Sequence, residues 1–161
     1  MKATIRFANA QDYVPLLDLF ELVDTLHREN LPTIFQKPAG SARDQDYFES
    51  LLLDQENGLF IAEVEDEIAG FILAILHDTL PFSVFIPSRL ALVSDIVVKT
   101  EFRMQGIGRL LVNKIHEWAE TQGASAVELT VYSFNQAAID FYKTIGYETI
   151  NFRMRYPIIQ G

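Results

Sequence analysis

Val98-Lys99-Thr100-Glu101-Phe102-Arg103-Met104-Gln105-Gly106-Ile107-Gly108-Arg109 is the stretch whose reading decides the fold. Before it, Leu90 to Val98 is apolar apart from Ser94 and Asp95, which reads as a central strand covered on both faces. After it, Gly108 to Gln122 reads as a helix closed by Gly123, at a position suited to left-handed backbone. A strand therefore feeds a helix start, where amide hydrogens lack intrahelical partners and the helix dipole is positive. Such a site receives phosphate oxygens. Gly106 and Gly108 let the backbone come close to a ligand, and Arg103 and Arg109 can add charge. An ordinary turn uses the same two glycines, so the spacing alone leaves both readings open. A Rossmann fingerprint would need a third glycine where the chain has Leu111, and a Walker loop would need Gly-Lys-Ser or Gly-Lys-Thr, which is absent.

Outward from this stretch the elements alternate. Thr4 to Phe7 reads as a strand, and Asn9 with an acid at Asp12 reads as the cap of a first helix. Its apolar positions are Val14, Leu17, Leu19, Phe20, Leu22, Val23 and Leu26. His27 to Gly40 reads as a loop broken by Pro32, Pro38 and Gly40, with Leu31, Ile34 and Phe35 packed. Ser41 or Asp44 caps a second helix ending near Leu53. Leu59 to Val64 and Ile68 to Leu76 read as a hairpin across Glu65-Asp66-Glu67. A strand from Ala126 to Val131, a helix from Gln136 to Thr144 closed by Gly146, and short strands at Thr149 to Phe152 and Met154 to Pro157 complete the order. The result is a single α/β (α+β) domain over 1–161, a mixed sheet covered by helices. Leu90 to Val131 should form a right-handed crossover between parallel strands, with a ligand crevice at the strand's carboxyl end.

The composition narrows the function. There is no cysteine, which excludes disulfides, thiolate metal sites and a cysteine nucleophile. His27, His77 and His116 have no ligand spacing, so no metal is expected. A net charge of -9 argues against a nucleic-acid partner and suits either solubility or a cationic substrate. Neither a signal peptide nor a run of about 20 apolar residues is present, so no membrane association and a cytoplasmic location are expected.

Arg103-Met104-Gln105-Gly106-Ile107-Gly108, together with Asn135-Gln136-Ala137-Ala138-Ile139-Asp140-Phe141-Tyr142-Lys143-Thr144-Ile145-Gly146-Tyr147 downstream, resembles the two motifs of the GCN5-related N-acetyltransferases. The resemblance extends to element order over essentially the whole chain. It implies a mixed, mostly antiparallel sheet of about 6–7 strands flanked by about four helices. It implies acetyl-CoA as cosubstrate, with its pyrophosphate on the amides of Arg103 to Arg109 and its pantetheine arm along the strand Ile96, Val97 and Val98. Tyr142 would be the general acid, although it also belongs to the helical apolar face of Ala138, Ile139, Phe141 and Ile145. Asn135 would contact the pantetheine or position that tyrosine. A main-chain amide between Ile96 and Val98 would receive the developing oxyanion.

Two departures stand out. Met104 occupies a position where the family often has glycine, and Ser94-Asp95 stands where spermidine-type relatives often place Glu-Asp. The base is therefore a water ordered by Ser94, a carboxylate elsewhere, or Asp95, which by strand alternation faces away from Ser94 and is equally a structural residue. The acceptor would be a primary amine of a small molecule or peptide, contacted by the His27 to Gly40 loop with Tyr47, Phe48 and Phe82 to Phe85. A homodimer through edge strands near the C-terminus is also implied. The competing reading is a non-catalytic acyl-CoA-binding or interaction module on the same fold.

Overall fold

Asn9 and Asp12 start the first helix as their spacing predicts. In the computed structural model, which describes residues 2–40 and 42–159, the Asn9 side chain accepts from the Gln11 amide and the Asp12 carboxylate accepts from the Asn9 amide. Asp12 is buried, and the Arg6 guanidinium grips both its oxygens at 2.9 Å while also reaching Glu63. The strand carrying Arg6 is β1 (Thr4–Phe7), and the helix is α1 (Tyr13–Asn30). The residues that α1 buries are Leu16, Leu19, Phe20 and Val23, an i, i+3, i+4, i+7 stripe. The expected stripe was too broad, since Val14, Leu17 and Leu26 are exposed. The helix also passes His27 and ends before Leu31, because the residue preceding Pro32 is excluded from helical backbone. In the loop beyond, Leu31 and Phe35 are half-buried and Ile34 is exposed. Asp44 caps α2 (Gln45–Leu53) through the Tyr47 amide. The alternative cap, Ser41, lies outside the described residues.

The chain forms two compact units, Met1–Thr130 and Val131–Gly161. The first holds β2 (Asn57–Val64), β3 (Glu67–Asp78), β4 (Arg89–Val98), α3 (Ile107–Thr121) and β5 (Ala126–Leu129). Glu65 and Asp66 turn the β2–β3 hairpin with both φ values positive, as a two-residue loop of the I′ kind requires. The sheet order is β1-β2-β3-β4-β5, antiparallel except for the parallel β4–β5 pair.

Leu59, Ile61, Phe71, Leu73 and Val97 pack with the buried face of α1 and with Phe48 of α2. Phe60, alternating to the other side of β2, meets Trp118 of α3 edge-on at 6.3 Å. Gly58 is required there, because a Cβ would stand 2.8 Å from the Trp118 ring.

The second unit holds α4 (Gln136–Thr144), with Gly146 at φ 104 just beyond it. The sheet therefore has five strands among the described residues, not six or seven. Residues 148–159 alternate as strands do, yet among the described residues no hydrogen bond reaches them, and alternation without a ladder is not a strand. β5 likewise stops at Leu129, short of Val131.

Candidate active site

β4 is irregular at the one place where its sequence is polar. Val93 pairs with Ala74 and Asp95 with Leu73, so Ser94 is an extra residue, a β-bulge. Because Leu73 and Ala74 point to opposite faces, so do Val93 and Asp95, although they are two residues apart. The pleat is broken between Ser94 and Asp95, so the register fixes the face of Asp95 and leaves that of Ser94 unassigned. Asp95 lies on the face of Leu73, towards α1. Full cover of both faces of β4 also does not hold, since Leu92 and Ser94 are exposed.

The parallel ladder with β5 covers only Leu90 to Val93, so from Ser94 to Val98 the far edge of β4 carries no strand. The Lys99 amide donates to Ala69 O at 2.8 Å, towards β3. Alternation then turns the Val97 backbone towards β3 and the Ile96 and Val98 backbones to the open edge. Arg103 Nε donating to Val98 O at 3.0 Å agrees with this. Of the three expected strand residues, Ile96 and Val98 thus present main-chain groups, whereas Val97 is spent on the ladder and the core.

The strand leads into a short 3₁₀ turn, Thr100–Phe102, anchored by buried Phe102. Met104 follows at φ 62 with its side chain in solvent, then Gly106 at φ 82 as the cap of α3, with no side-chain hydrogen bond. Gln105 Nε2 braces the loop on Glu101 O at 3.2 Å. The Leu110 amide donates to Gly106 O, which leaves the amides of Ile107, Gly108 and Arg109 without intrahelical acceptors. A Cβ on Gly106 would meet nothing within 4 Å, so the loop is open at that glycine. A diphosphate fits such a cradle of amides, and a linear amide-bearing arm fits the open edge behind it.

A cavity of about 350 Å³ is lined by Asp24, His27 and Arg28 of α1, Phe35 and Arg43 of the following loop, and Tyr47 of α2; Asp95 is outside this lining and is joined to it through Arg43. Arg43 holds it together. Its guanidinium bonds Asp24 at 2.6 Å, stands 3.9 Å from Asp95 and lies over the Phe20 ring, while its carbonyl accepts from the Tyr13 hydroxyl. The Asp95 carboxylate accepts no hydrogen bond among the described residues, and its side chain is 22% exposed. Burial raises its proton affinity above the usual aspartate value; Arg43 opposes this, Asp24 adds to it and His27 opposes it. Of the expected acceptor contacts, Tyr47 lines the cavity, Phe48 is in the core, and Phe82 and Phe85 are exposed on the β3–β4 loop. Asp24 and Arg43 were missed, since neither belongs to a motif. The only sequence signal for Asp24 was its place beside Val23 on the buried side of α1.

In the second unit, Asn135 caps α4, its Oδ1 accepting from the Ala138 amide at 3.2 Å. Tyr142 is 8% exposed, packed against the rings of Phe141 and Tyr147, and its hydroxyl makes no hydrogen bond among the described residues. Burial pushes its phenol up to about 12. Among the described residues no three acidic or imidazole side chains group as metal ligands, and no helix is long and apolar enough to cross a membrane.

The chain matches the model of the acetyltransferase (GNAT) family over residues 20–147. It is similar to an uncharacterised N-acetyltransferase of Methanocaldococcus jannaschii, 37% identical over 102 residues, which is 63% of this chain and 44% of that one. It is also similar to one of Archaeoglobus fulgidus, 34% identical over 98 residues, 61% of this chain and 65% of the other. The match spans less than two thirds of either relative. In fold it is similar to a Bacillus halodurans protein solved as a mutant, with a TM-score of 0.90 and 25% identity over 97% of this chain and 99% of that one.

Proposed function

The chain belongs to the acetyltransferase (GNAT) family, and from that premise we propose that it is an acetyl-CoA-dependent N-acetyltransferase acting on the primary amine of a small molecule or peptide. Residues 1–161 are read as one such domain, working in the cytoplasm. The observation that carries the proposal is the continuity, within one unit, of an open β4 edge from Ser94 to Val98 with the free amides at the start of α3.

Acetyl-CoA, when bound, supplies the acetyl thioester. The amides of Ile107, Gly108 and Arg109 hold the diphosphate, with charge from Arg103 and Arg109, and Gln105 keeps the loop in shape. The amides of Ile96 and Val98 fix the arm and stabilise charge on the reacting oxygen, at no cost in reorganisation. The acceptor enters the cavity beside Asp95. An alkyl ammonium near 10.4 gives up its first proton to solvent, the nitrogen forms the C–N bond as the C–S bond breaks, and the second proton, made acidic by that bond, passes to Asp95. Ser94, exposed at the bulge, can order a water on this route.

Tyr142 gives its proton to the departing sulfur. Burial keeps that proton in place across the working pH range, and desolvation that raises the phenol also raises a thiolate departing in the same surroundings. Asn135 acts by fixing the start of the helix that carries Tyr142.

The same reading takes the working form as a homodimer. Ile150, Phe152, Met154, Tyr156 and Ile158 alternate along a segment that makes no hydrogen bond among the described residues, from 74% exposed at Ile150 to 91% at Met154, and a second copy would cover them. Sedimentation at the single-chain mass of 18.3 kDa would refute that part.

Calorimetric titration with acetyl-CoA, with NAD and ATP as controls, tests the whole reading. Saturable binding of acetyl-CoA alone, lost in a folded Gly106→Pro variant, supports it. Binding without turnover of any amine would leave a non-catalytic acyl-CoA-binding module. No binding would overturn it.

A further inference from the structure

The cavity beside Asp95 is charged unevenly along α1. Asp24, His27 and Arg28 all line it, and Arg28, four residues beyond Asp24, lies about 6 Å further along the helix axis. At the Asp24 end, the lining guanidinium of Arg43 is shared by two half-buried carboxylates, Asp24 of the lining at 2.6 Å and Asp95, outside it, at 3.9 Å. Two carboxylates thus share one guanidinium, and among the described residues Asp95 has no hydrogen-bond donor. A desolvated carboxylate in this condition calls for a cation that can also donate.

The Arg28 end has the opposite balance. Arg28 Nη2 donates to Glu21 Oε1 at 2.8 Å and to Thr25 Oγ1 at 3.0 Å, which fixes the guanidinium plane. Among the described residues its Nε and Nη1 make no hydrogen bond, although the side chain is only 18% exposed. Lys37 adds a second positive charge close enough to act on Glu21, so two cations face one carboxylate. Fixed guanidinium donors without partners suit a carboxylate.

We propose that the acceptor is a zwitterion, with a primary ammonium seated against Asp24 and Asp95 and a carboxylate on Arg28 about 6 Å away. That is the pattern of an ω-amino acid or of the side-chain amine of a lysine-like amino acid. The proposal rests on reading this cavity as the acceptor site. It also selects against polyamines, because a second ammonium would lie against Arg28 instead of a carboxylate.

The test is acetyl-CoA-dependent thiol release with 5-aminopentanoate, lysine, n-pentylamine and spermidine. The expected kcat/KM for 5-aminopentanoate is at least tenfold above that for n-pentylamine and spermidine. Arg28→Ala should raise KM for 5-aminopentanoate at least tenfold with kcat retained and leave KM for n-pentylamine unchanged, and Arg28→Lys should recover part of the loss. Equal use of n-pentylamine or spermidine, or an equal effect of Arg28→Ala on both kinds of acceptor, overturns the inference while leaving the acetyltransferase reading intact. If no amine is turned over, the transferase reading fails instead. Calorimetric binding of 5-aminopentanoate, and its loss in Arg28→Ala, then decides the charge pattern by itself, and absence of that binding overturns it.

Discussion

Met104 carries a backbone cost that can be measured. Its φ of 62 lies in the left-handed region and its side chain is fully in solvent. An L-residue held there costs about 1–2 kcal/mol, and glycine avoids this. Glycine also loosens the unfolded chain, which offsets about 0.4–1 kcal/mol of the gain. No packing is lost with a side chain that touches nothing, so Met104→Gly should stabilise the protein by about 0.5–1 kcal/mol. For a chain of this length that raises Tm by roughly 1–4 °C. Met104→Ala is the control: it removes the same side chain and keeps the strain, so its stability should stay within about 0.5 kcal/mol of wild type. Urea unfolding of the three proteins decides the matter, and a glycine variant no more stable than the alanine variant refutes the strain argument. Because the substitution retains the backbone amide, acetyl-CoA affinity should hold within about twofold.

Three further outcomes are expected. Gly70→Ala places a Cβ 2.5 Å from Val97 O and 3.2 Å from Val98 Cα, both main-chain atoms of β4, so it should cost about 1–3 kcal/mol in urea unfolding and weaken acetyl-CoA binding with it. As a base Asp95 must be ionised, so activity falls as pH drops through its pKa. Arg43→Ala removes the charge that holds that pKa down against burial and Asp24, so the acidic limb of the kcat/KM profile should move to higher pH, with Arg43→Lys between the two; an unmoved limb removes Asp95 as the base. Tyr142→Phe deletes a hydroxyl that makes no hydrogen bond among the described residues, so stability should change by less than about 0.5 kcal/mol while turnover falls about 100-fold or more; turnover near wild type would leave Tyr142 a packing residue.

The parts of the molecule that were legible in sequence are those that local backbone chemistry sets. Asn9 with Asp12, Asp44, Gly123 and Gly146 marked helix ends because a cap or a left-handed residue acts within four positions of itself. The loop from Arg103 to Gly108 was legible for the same reason. Where a feature depends on a distant partner, local sequence misleads. The alternation of residues 150–158 looked like strands, but a strand also needs an edge to pair with. Arg43 sits in a loop among prolines and glycines, and nothing local announces that its guanidinium spans α1 and β4. Met104 is the reverse case: the sequence departed from its family's habit, and the positive φ shows why glycine is common there.

Ser94 shows how one residue can set both halves of the site. Pairing with β5 ends at Val93, immediately before the bulge, and a bulge bends its strand and terminates pairing. Removing Ser94 would leave Val93 opposite Ala74 and Asp95 opposite Leu73, now as neighbours in an unbroken pleat, so neither face would exchange its side chains. Asp95 would still face Arg43, and the core would keep Val97. What would go is the kink that turns the edge of β4 away from β5. A Ser94 deletion should therefore fold with near-normal stability and keep the cavity beside Asp95, yet lose at least tenfold in acetyl-CoA affinity as the open edge closes. Urea unfolding and calorimetry on the same preparation separate the two effects. Unchanged affinity would refute the bulge as the cause of the open edge.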